Sequence, residues 1–131
     1  MRKFQEPARK EDPYATAVVD AAYRLHRQLG PGLLESVYEK ILAYELRQRG
    51  LSVRTQVPVP IRYQDISFDE GFRLDLLVED LLVVELKSVE KLLPVHSKQL
   101  ITYLKLSGKR LGLLINFNTA LIKDGIVRIA C

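Results

Sequence analysis

Two short apolar segments separated by a tight turn constrain the fold of this chain more than any other feature. "GFRLDLLV" (71–78) and "LLVVELKS" (81–88) have the length and composition of strands, and only the residues around Glu79 and Asp80 separate them. Strands that follow each other so closely pair as an antiparallel hairpin. We therefore expect this hairpin to form the centre of a sheet.

The side-chain pattern selects the register of this hairpin. A two-residue turn would place Asp75 opposite Val84, on an apolar face and without a partner. A three-residue turn instead pairs Val78 with Leu82 and places Asp75 opposite Glu85. In this register one face is entirely apolar, formed by Phe72, Leu74, Leu76, Val78, Leu82, Val84 and Leu86. We therefore predict that Asp75 and Glu85 are cross-strand neighbours.

Helices are predicted on both sides of the hairpin in the sequence. Apolar residues recur at steps of three and four over residues 14–29, and a second helix is expected over residues 33–49. Pro94 suits the first turn of a third helix, which Gly108 closes.

Three further strands complete the predicted sheet. The segment 51–63 is rich in β-branched residues, but Pro58 and Pro60 place it at a sheet edge because proline cannot donate to the ladder. The last strands are expected in "RLGLLINF" (110–117) and "IVRIA" (126–130). The order ααβββαββ predicts the α/β (α+β) class, with a mixed central sheet flanked by helices.

Length and composition bound the organisation of the chain. With 131 residues, 47% of them hydrophobic, we expect one domain over residues 13–131, preceded by a flexible tail over residues 1–12. The tail lacks the apolar core of a secretory signal, and no apolar run approaches the length of a membrane span. The only cysteine is Cys131, which excludes an intrachain disulfide. These features suit a cytoplasmic protein without a membrane partner.

Two facing carboxylates would repel each other, and a cation would relieve that repulsion. An all-oxygen site of this kind suits Mg²⁺ or Mn²⁺. Lys87 lies on the same face as Glu85, where its ammonium group could hold an attacking water or meet charge developing on a phosphoryl oxygen. The simpler alternative is a local ion pair with Lys87 or Arg73 on a solvated patch, and the spacing of the charges alone favours that alternative.

The chain resembles a known family at this point. Asp75 together with "ELK" at residues 85–87 resembles the motif of the PD-(D/E)XK nuclease superfamily, and "GLLESVY" (32–38) is similar to the signature of its GxxExxY branch. The similarity runs from about residue 14 to residue 130. One departure is Leu74, which stands where the superfamily has a nominal proline before the aspartate. The resemblance implies a restriction-endonuclease-like core and a metal-dependent nuclease that hydrolyses phosphodiester bonds.

The resemblance also implies the roles of individual residues. Asp75, Glu85 and the main-chain carbonyl of Leu86 would hold Mg²⁺, with Mn²⁺ as a substitute. Lys87 would position or activate the attacking water. Glu35 matches an accessory acidic residue of the helix before the core sheet, which would support the metal or the catalytic step.

Two residues of the third helix match a glutamine and a tyrosine that lie four positions apart in an exonuclease-like branch of the superfamily. Gln99 and Tyr103 share a helix face, as do Glu35 and Tyr38. For either tyrosine, core packing with the hydroxyl at the rim is the alternative. For Glu35 the alternative is a favourable charge in the first turn of a helix.

Basic residues predict how a nucleic-acid backbone could be bound, with DNA favoured over RNA. Lys98 and Lys105 lie seven positions apart on the third helix, and Arg73 and His96 are further candidates. Solvated helix positions are the alternative, and for His96 a place at the helix amino terminus is favoured. A non-catalytic module that keeps the nuclease fold and binds nucleic acid or protein is the alternative function. A second copy of the chain or another protein remains open as a partner.

Overall fold

The computed structural model describes residues 7–131, so the first six residues of the predicted tail lie outside it. The helices are α1 (Asp12–Leu29), α2 (Glu35–Gln48) and α3 (Pro94–Ser107). The strands are β1 (Val53–Tyr63), β2 (Ile66–Val78), β3 (Leu82–Lys87), β4 (Leu111–Asn116) and β5 (Ile126–Ala130), and a short 3₁₀ helix (Ile122–Gly125) precedes β5. The predicted order of helices and strands is confirmed. No helix within residues 7–131 is long and apolar enough to cross a membrane.

The five strands form one mixed sheet in the order β1-β2-β3-β4-β5. Only β3 and β4 run parallel, and α3 connects them; the other neighbours are antiparallel. The strand that carries Pro58 and Pro60 is the β1 edge, as predicted. The arrangement is the α+β, restriction-endonuclease-like fold that was expected.

The central hairpin adopts the predicted register. Val78 pairs with Leu82 and Leu76 pairs with Val84, which leaves a three-residue turn between the strands. Glu79 and Asp80 in this turn have φ values of 53° and 56°, so both occupy the left-handed region. The sequence predicted this conformation for Asp80 because aspartate tolerates it.

Helices cover both faces of the sheet. Helices α1 and α2 lie on one face, where Val18, Leu42 and Leu46 pack against Leu82, Val84 and Leu86 among others. Helix α3 lies on the opposite face, where Leu100 and Leu104 pack against Leu77, Val83 and Leu114. Strands β3 and β4 are buried on both faces, which explains their nearly continuous apolar sequence.

The prediction of one uniformly apolar face along the hairpin was wrong in the outer part of β2. Leu76 packs on the α1 and α2 side, as expected, but Leu74 packs on the α3 side, and Phe72 stacks on an aromatic ring of α3. Side chains of a regular strand alternate, so the strand must change face between Leu74 and Leu76. Asp75 lies at this change, and Gln56, opposite it in β1, has a left-handed φ of 49°.

The loop between α1 and α2 is held by a buried tyrosine. The Tyr38 ring is fully buried and stacks on Phe117 with centroids 4.5 Å apart. Its hydroxyl donates to the Gly30 carbonyl at 2.6 Å and accepts from the Leu33 amide at 3.2 Å. Tyr38 therefore fixes the entry into α2, which is the packing role that was the alternative to a functional one.

Candidate metal and nuclease site

The site lies where β2 and β3 separate. Their regular pairing ends at Leu76 and Val84, and side chains provide the next two hydrogen bonds. The Asp75 amide donates to Glu85 Oε1 at 3.1 Å, and the Leu86 amide donates to Asp75 Oδ2 at 2.9 Å. Asp75 and Glu85 are thus neighbours across the gap between the strands.

The Leu86 carbonyl faces the same gap. The Lys87 carbonyl accepts a hydrogen bond from the Phe117 amide, on the β4 side of the strand. Carbonyl directions alternate along a strand, and the amide and carbonyl of one residue point to the same side. Since the Leu86 amide reaches Asp75, its carbonyl also points toward β2. Two carboxylates and one carbonyl therefore meet at this point.

Glu85 is only 5% exposed. Burial raises the pKa of Glu85 to about 8, and the charge of Asp75 raises it as well. Hydrogen bonding to the Asp75 amide and the charge of Lys87 act in the opposite direction. Ionisation of Glu85 beside Asp75 in this poorly solvated place is therefore unfavourable, and a cation would offset that cost.

Lys87 ends strand β3 and is partly exposed. It lies two residues after Glu85 in β3, and its positive charge lowers the pKa of Glu85. Burial raises the pKa of the Tyr103 phenol, and the charges of Glu85 and Asp75 raise it further. Its ring stacks on Phe72, with centroids 4.1 Å apart.

A pocket of about 200 Å³ opens from Asp75 toward α2. Its walls are formed by Glu35, Ser36, Glu39, Gln56, Asp75 and Leu86. Glu35 therefore borders the same pocket as Asp75, although its side chain is exposed. Gln99 is exposed on α3, and its side chain does not line this pocket.

Sequence reasoning missed Glu39 and Gln56. Gln56 Nε2 donates to Glu39 Oε1 at 2.6 Å and to Asp75 Oδ1 at 3.4 Å. Burial raises the pKa of Glu39, while the hydrogen bond from Gln56 lowers it. Glu39 lies four positions after Glu35, so helical spacing could have placed both on one face. No signal in the sequence marks Gln56.

The donor set fits a hard divalent cation. Carboxylate and carbonyl oxygens are the ligands that Mg²⁺ and Mn²⁺ prefer. Within residues 7–131, no group of three or more His, Cys, Asp or Glu side chains is arranged to hold a metal ion. Asp75, Glu85 and the Leu86 carbonyl as metal ligands stay predictions. Glu35 as a further ligand stays a prediction.

The residues predicted to bind nucleic acid have different surroundings. Lys98 and Lys105 are exposed on α3. Arg73 is exposed but forms an ion pair with Glu70. His96 Nδ1 accepts a hydrogen bond from the Leu93 amide at 3.0 Å, as a residue at the helix amino terminus can. The nucleic-acid roles of all four stay predictions.

A larger pocket of about 490 Å³ lies between α1 and β5. Its walls include Val19, Tyr23 and Ile126, with Asp20 as its only acidic residue. The smaller pocket at Asp75 is the better candidate site, because three acidic residues, Glu35, Glu39 and Asp75, line it.

Fold and site together define a class of protein: a mixed sheet whose central strands separate at a carboxylate pair followed by a lysine. A family model described as the PD-(D/E)XK nuclease superfamily matches residues 12–129. The chain belongs to the PD-(D/E)XK nuclease superfamily. No curated protein and no solved structure matches it.

Proposed function

We propose that this chain is a Mg²⁺-dependent nuclease of the GxxExxY branch, which hydrolyses phosphodiester bonds of nucleic acid, with DNA as the preferred substrate. The main support for this proposal is the arrangement of Asp75 and Glu85, because each carboxylate accepts a hydrogen bond from the backbone of the opposite strand. Superfamily membership supports the proposal, because divalent metal ions are generally used by these nucleases.

Asp75, Glu85 and the Leu86 carbonyl would hold the cation. When bound, a divalent cation supplies Lewis acidity, which favours formation of a hydroxide nucleophile and offsets charge on the scissile phosphate. The protein contributes fixed ligands: Asp75 and Glu85 are anchored to opposite strands through backbone amides, so neither carboxylate needs to reorganise.

Lys87 would act on the water or the phosphate. It follows Glu85 by two residues, and its ammonium charge is felt by the Glu85 carboxylate. From there it can donate a hydrogen bond to the attacking water or to a phosphoryl oxygen as charge develops. The Tyr103 hydroxyl, near the same pair, can donate to a phosphate oxygen from the α3 side.

The structural role of the "GLLESVY" segment supports assignment to the GxxExxY branch. Gly32 has a φ of 104°, a conformation that favours glycine. Tyr38 binds the Gly30 carbonyl and the Leu33 amide, which fixes the start of α2. The segment thereby places Glu35 at the pocket that contains Asp75.

The test is a cleavage assay on single-stranded, duplex and branched DNA and on RNA, with Mg²⁺ or Mn²⁺. We expect the wild-type chain to cleave and Lys87→Ala to lose at least about 10²-fold in rate, the scale of one positioned catalytic group. Lys10→Ala is the matched control, since Lys10 is exposed in the segment before α1, and it should cleave as the wild type does.

Equal cleavage by the wild type and Lys87→Ala would identify a contaminating nuclease and refute the proposal. Binding of nucleic acid by the wild type without cleavage of any substrate would favour a non-catalytic binding module instead.

A further inference from the structure

Gln56 has a backbone conformation that its place in the sheet does not explain. Regular pairs flank it, Thr55 with Leu76 and Val57 with Leu74, yet its φ is 49°. The left-handed region is uncommon for a residue with a side chain, above all within a strand. Such a conformation persists where the surrounding structure enforces it, and it is concentrated at functional sites.

The Gln56 side chain links two carboxylates. Its Nε2 donates to Glu39 Oε1 at 2.6 Å and to Asp75 Oδ1 at 3.4 Å. One amide nitrogen carries two hydrogens, so it can serve both acceptors at once. Glu39 belongs to α2 and Asp75 to β2, so the amide of a β1 residue joins three elements at the pocket.

Asp75 is consequently held from both neighbouring strands. Its Oδ2 accepts from the Leu86 amide of β3 at 2.9 Å, and its Oδ1 accepts from Gln56 of β1. A neutral amide orients a carboxylate without neutralising it. A lysine or arginine in its place would compete with a cation for the same charge.

We propose, on the basis of the proposed function, that Gln56 is a positioning residue that orients the Asp75 carboxylate for cation binding, and that Glu39 holds the Gln56 amide. The left-handed backbone at Gln56 directs its side chain between the two acids. Gln56 touches neither substrate nor reacting atoms in this role and acts only through Asp75.

The first test uses the metal-free protein and does not depend on activity. In two-dimensional ¹H–¹⁵N NMR, the Gln56 side-chain amide, which is hydrogen-bonded to Glu39 and Asp75, should resonate apart from that of Gln64 in the turn between β1 and β2 and should exchange with water more slowly. Asp75→Asn and Glu39→Gln should each shift it. An amide that matches Gln64 in exchange rate and responds to neither substitution would overturn the proposal, whether or not the chain is a nuclease.

The second test compares two matched substitutions. Gln64 also has a positive φ, 50°, but lies in the turn between β1 and β2, away from the pocket. Glycine adopts either backbone freely, so Gln56→Gly and Gln64→Gly should both fold. By calorimetry we expect about tenfold weaker Mn²⁺ binding for Gln56→Gly, which corresponds to the scale of a lost positioning contact, and unchanged binding for Gln64→Gly.

A cleavage assay distinguishes a positioning role of Gln56 from a purely structural one. At saturating Mn²⁺, Gln56→Gly should recover most of the wild-type rate, whereas a distorted site would not recover. Equal Mn²⁺ affinity of the wild type and Gln56→Gly would refute the role of Gln56 and leave the nuclease proposal standing. Failure of the wild type to bind Mn²⁺ would refute both the nuclease proposal and the cation-positioning role, whereas Mn²⁺ binding without cleavage would refute the nuclease proposal alone.

Discussion

The side chains of Asp75 and Glu85 each accept a hydrogen bond from the backbone of the opposite strand. The Asp75 amide donates to Glu85, and the Leu86 amide, next to Glu85, donates to Asp75. Regular pairing of β2 and β3 stops one residue earlier. The two carboxylates therefore close the gap between separating strands and are held close together, although like charges repel. The same contacts that complete the sheet thus build an acidic site.

Asp75→Asn should abolish Mn²⁺ binding without destabilising the metal-free protein. Asparagine keeps one oxygen that can accept from the Leu86 amide, and only the long, exposed contact from Gln56 is lost, while the charge that raises the pKa of Glu85 is removed. Thermal unfolding in a chelator should give an equal or higher Tm, and calorimetry should show no Mn²⁺ binding. Asp65→Asn, in the exposed turn between β1 and β2, is the control that should bind normally. Undiminished Mn²⁺ binding by Asp75→Asn would contradict the assigned ligand.

Glu85 should make the stability of the metal-free protein decrease as the pH rises. Its pKa is about 8 in the folded protein against an ordinary value of 4.5. Between these values the unfolded chain releases this proton while the folded chain keeps it, so the free energy of unfolding falls by at most ~1.4 kcal/mol per pH unit. The contribution is complete below the unfolded pKa and is lost as pH rises through the folded pKa.

Urea unfolding between pH 5 and pH 9 in a chelator measures this dependence. Glu85→Gln cannot titrate, so its stability relative to the wild type should improve steadily toward pH 8. Saturating Mg²⁺ should weaken the dependence in the wild type, because a bound cation favours the ionised carboxylate. Parallel curves for the wild type and Glu85→Gln in the chelator would show that Glu85 is not the titrating group.

The sequence was sufficient for the elements and for the register of the central hairpin. Apolar periodicity and the isolated carboxylates allow only one pairing of β2 with β3 that buries no unpaired charge, and Val78 pairs with Leu82 accordingly. The edge position of β1 followed from Pro58 and Pro60 because proline lacks a donor.

The contacts of Gln56 could not be predicted, for a physical reason. The pairing of β1 with β2 shifts between Val59 and Ile61. Continued without that shift, the register of the outer hairpin would place Arg54, not Gln56, opposite Asp75. Gly71 lies within the shift in β2, where a Cβ would clash with the Ile61 side chain, but no glycine marks the left-handed backbone at Gln56, so strict alternation gave the wrong face for Leu74.

Tyr38→Phe should reduce stability but not catalysis. The substitution removes the hydrogen bond to the Gly30 carbonyl and leaves the Leu33 amide without its acceptor, while the stacking on Phe117 is retained. We expect a loss of about 1–2 kcal/mol in the free energy of unfolding. Tyr44→Phe, at a residue 62% exposed, should change it by less than about 0.5 kcal/mol. Cleavage per folded molecule should be equal in both variants; a selective loss in Tyr38→Phe would give its hydroxyl a catalytic role.

Lys98 and Lys105 should contribute to nucleic-acid affinity through phosphate contacts. Both are exposed on α3, on a different face of the helix from the buried Leu100 and Leu104. They can therefore contact a nucleic-acid backbone that passes Tyr103. In Lys98→Ala/Lys105→Ala, the slope of log affinity against log salt should decrease by about 2, since each phosphate contact contributes about 0.9. Fluorescence anisotropy with labelled duplex from 50 to 200 mM salt measures the slope, in chelator so that no cleavage occurs. The double variant of Lys10 and Lys123, both exposed elsewhere, should keep the wild-type slope. An unchanged slope in Lys98→Ala/Lys105→Ala would show that nucleic acid does not follow α3.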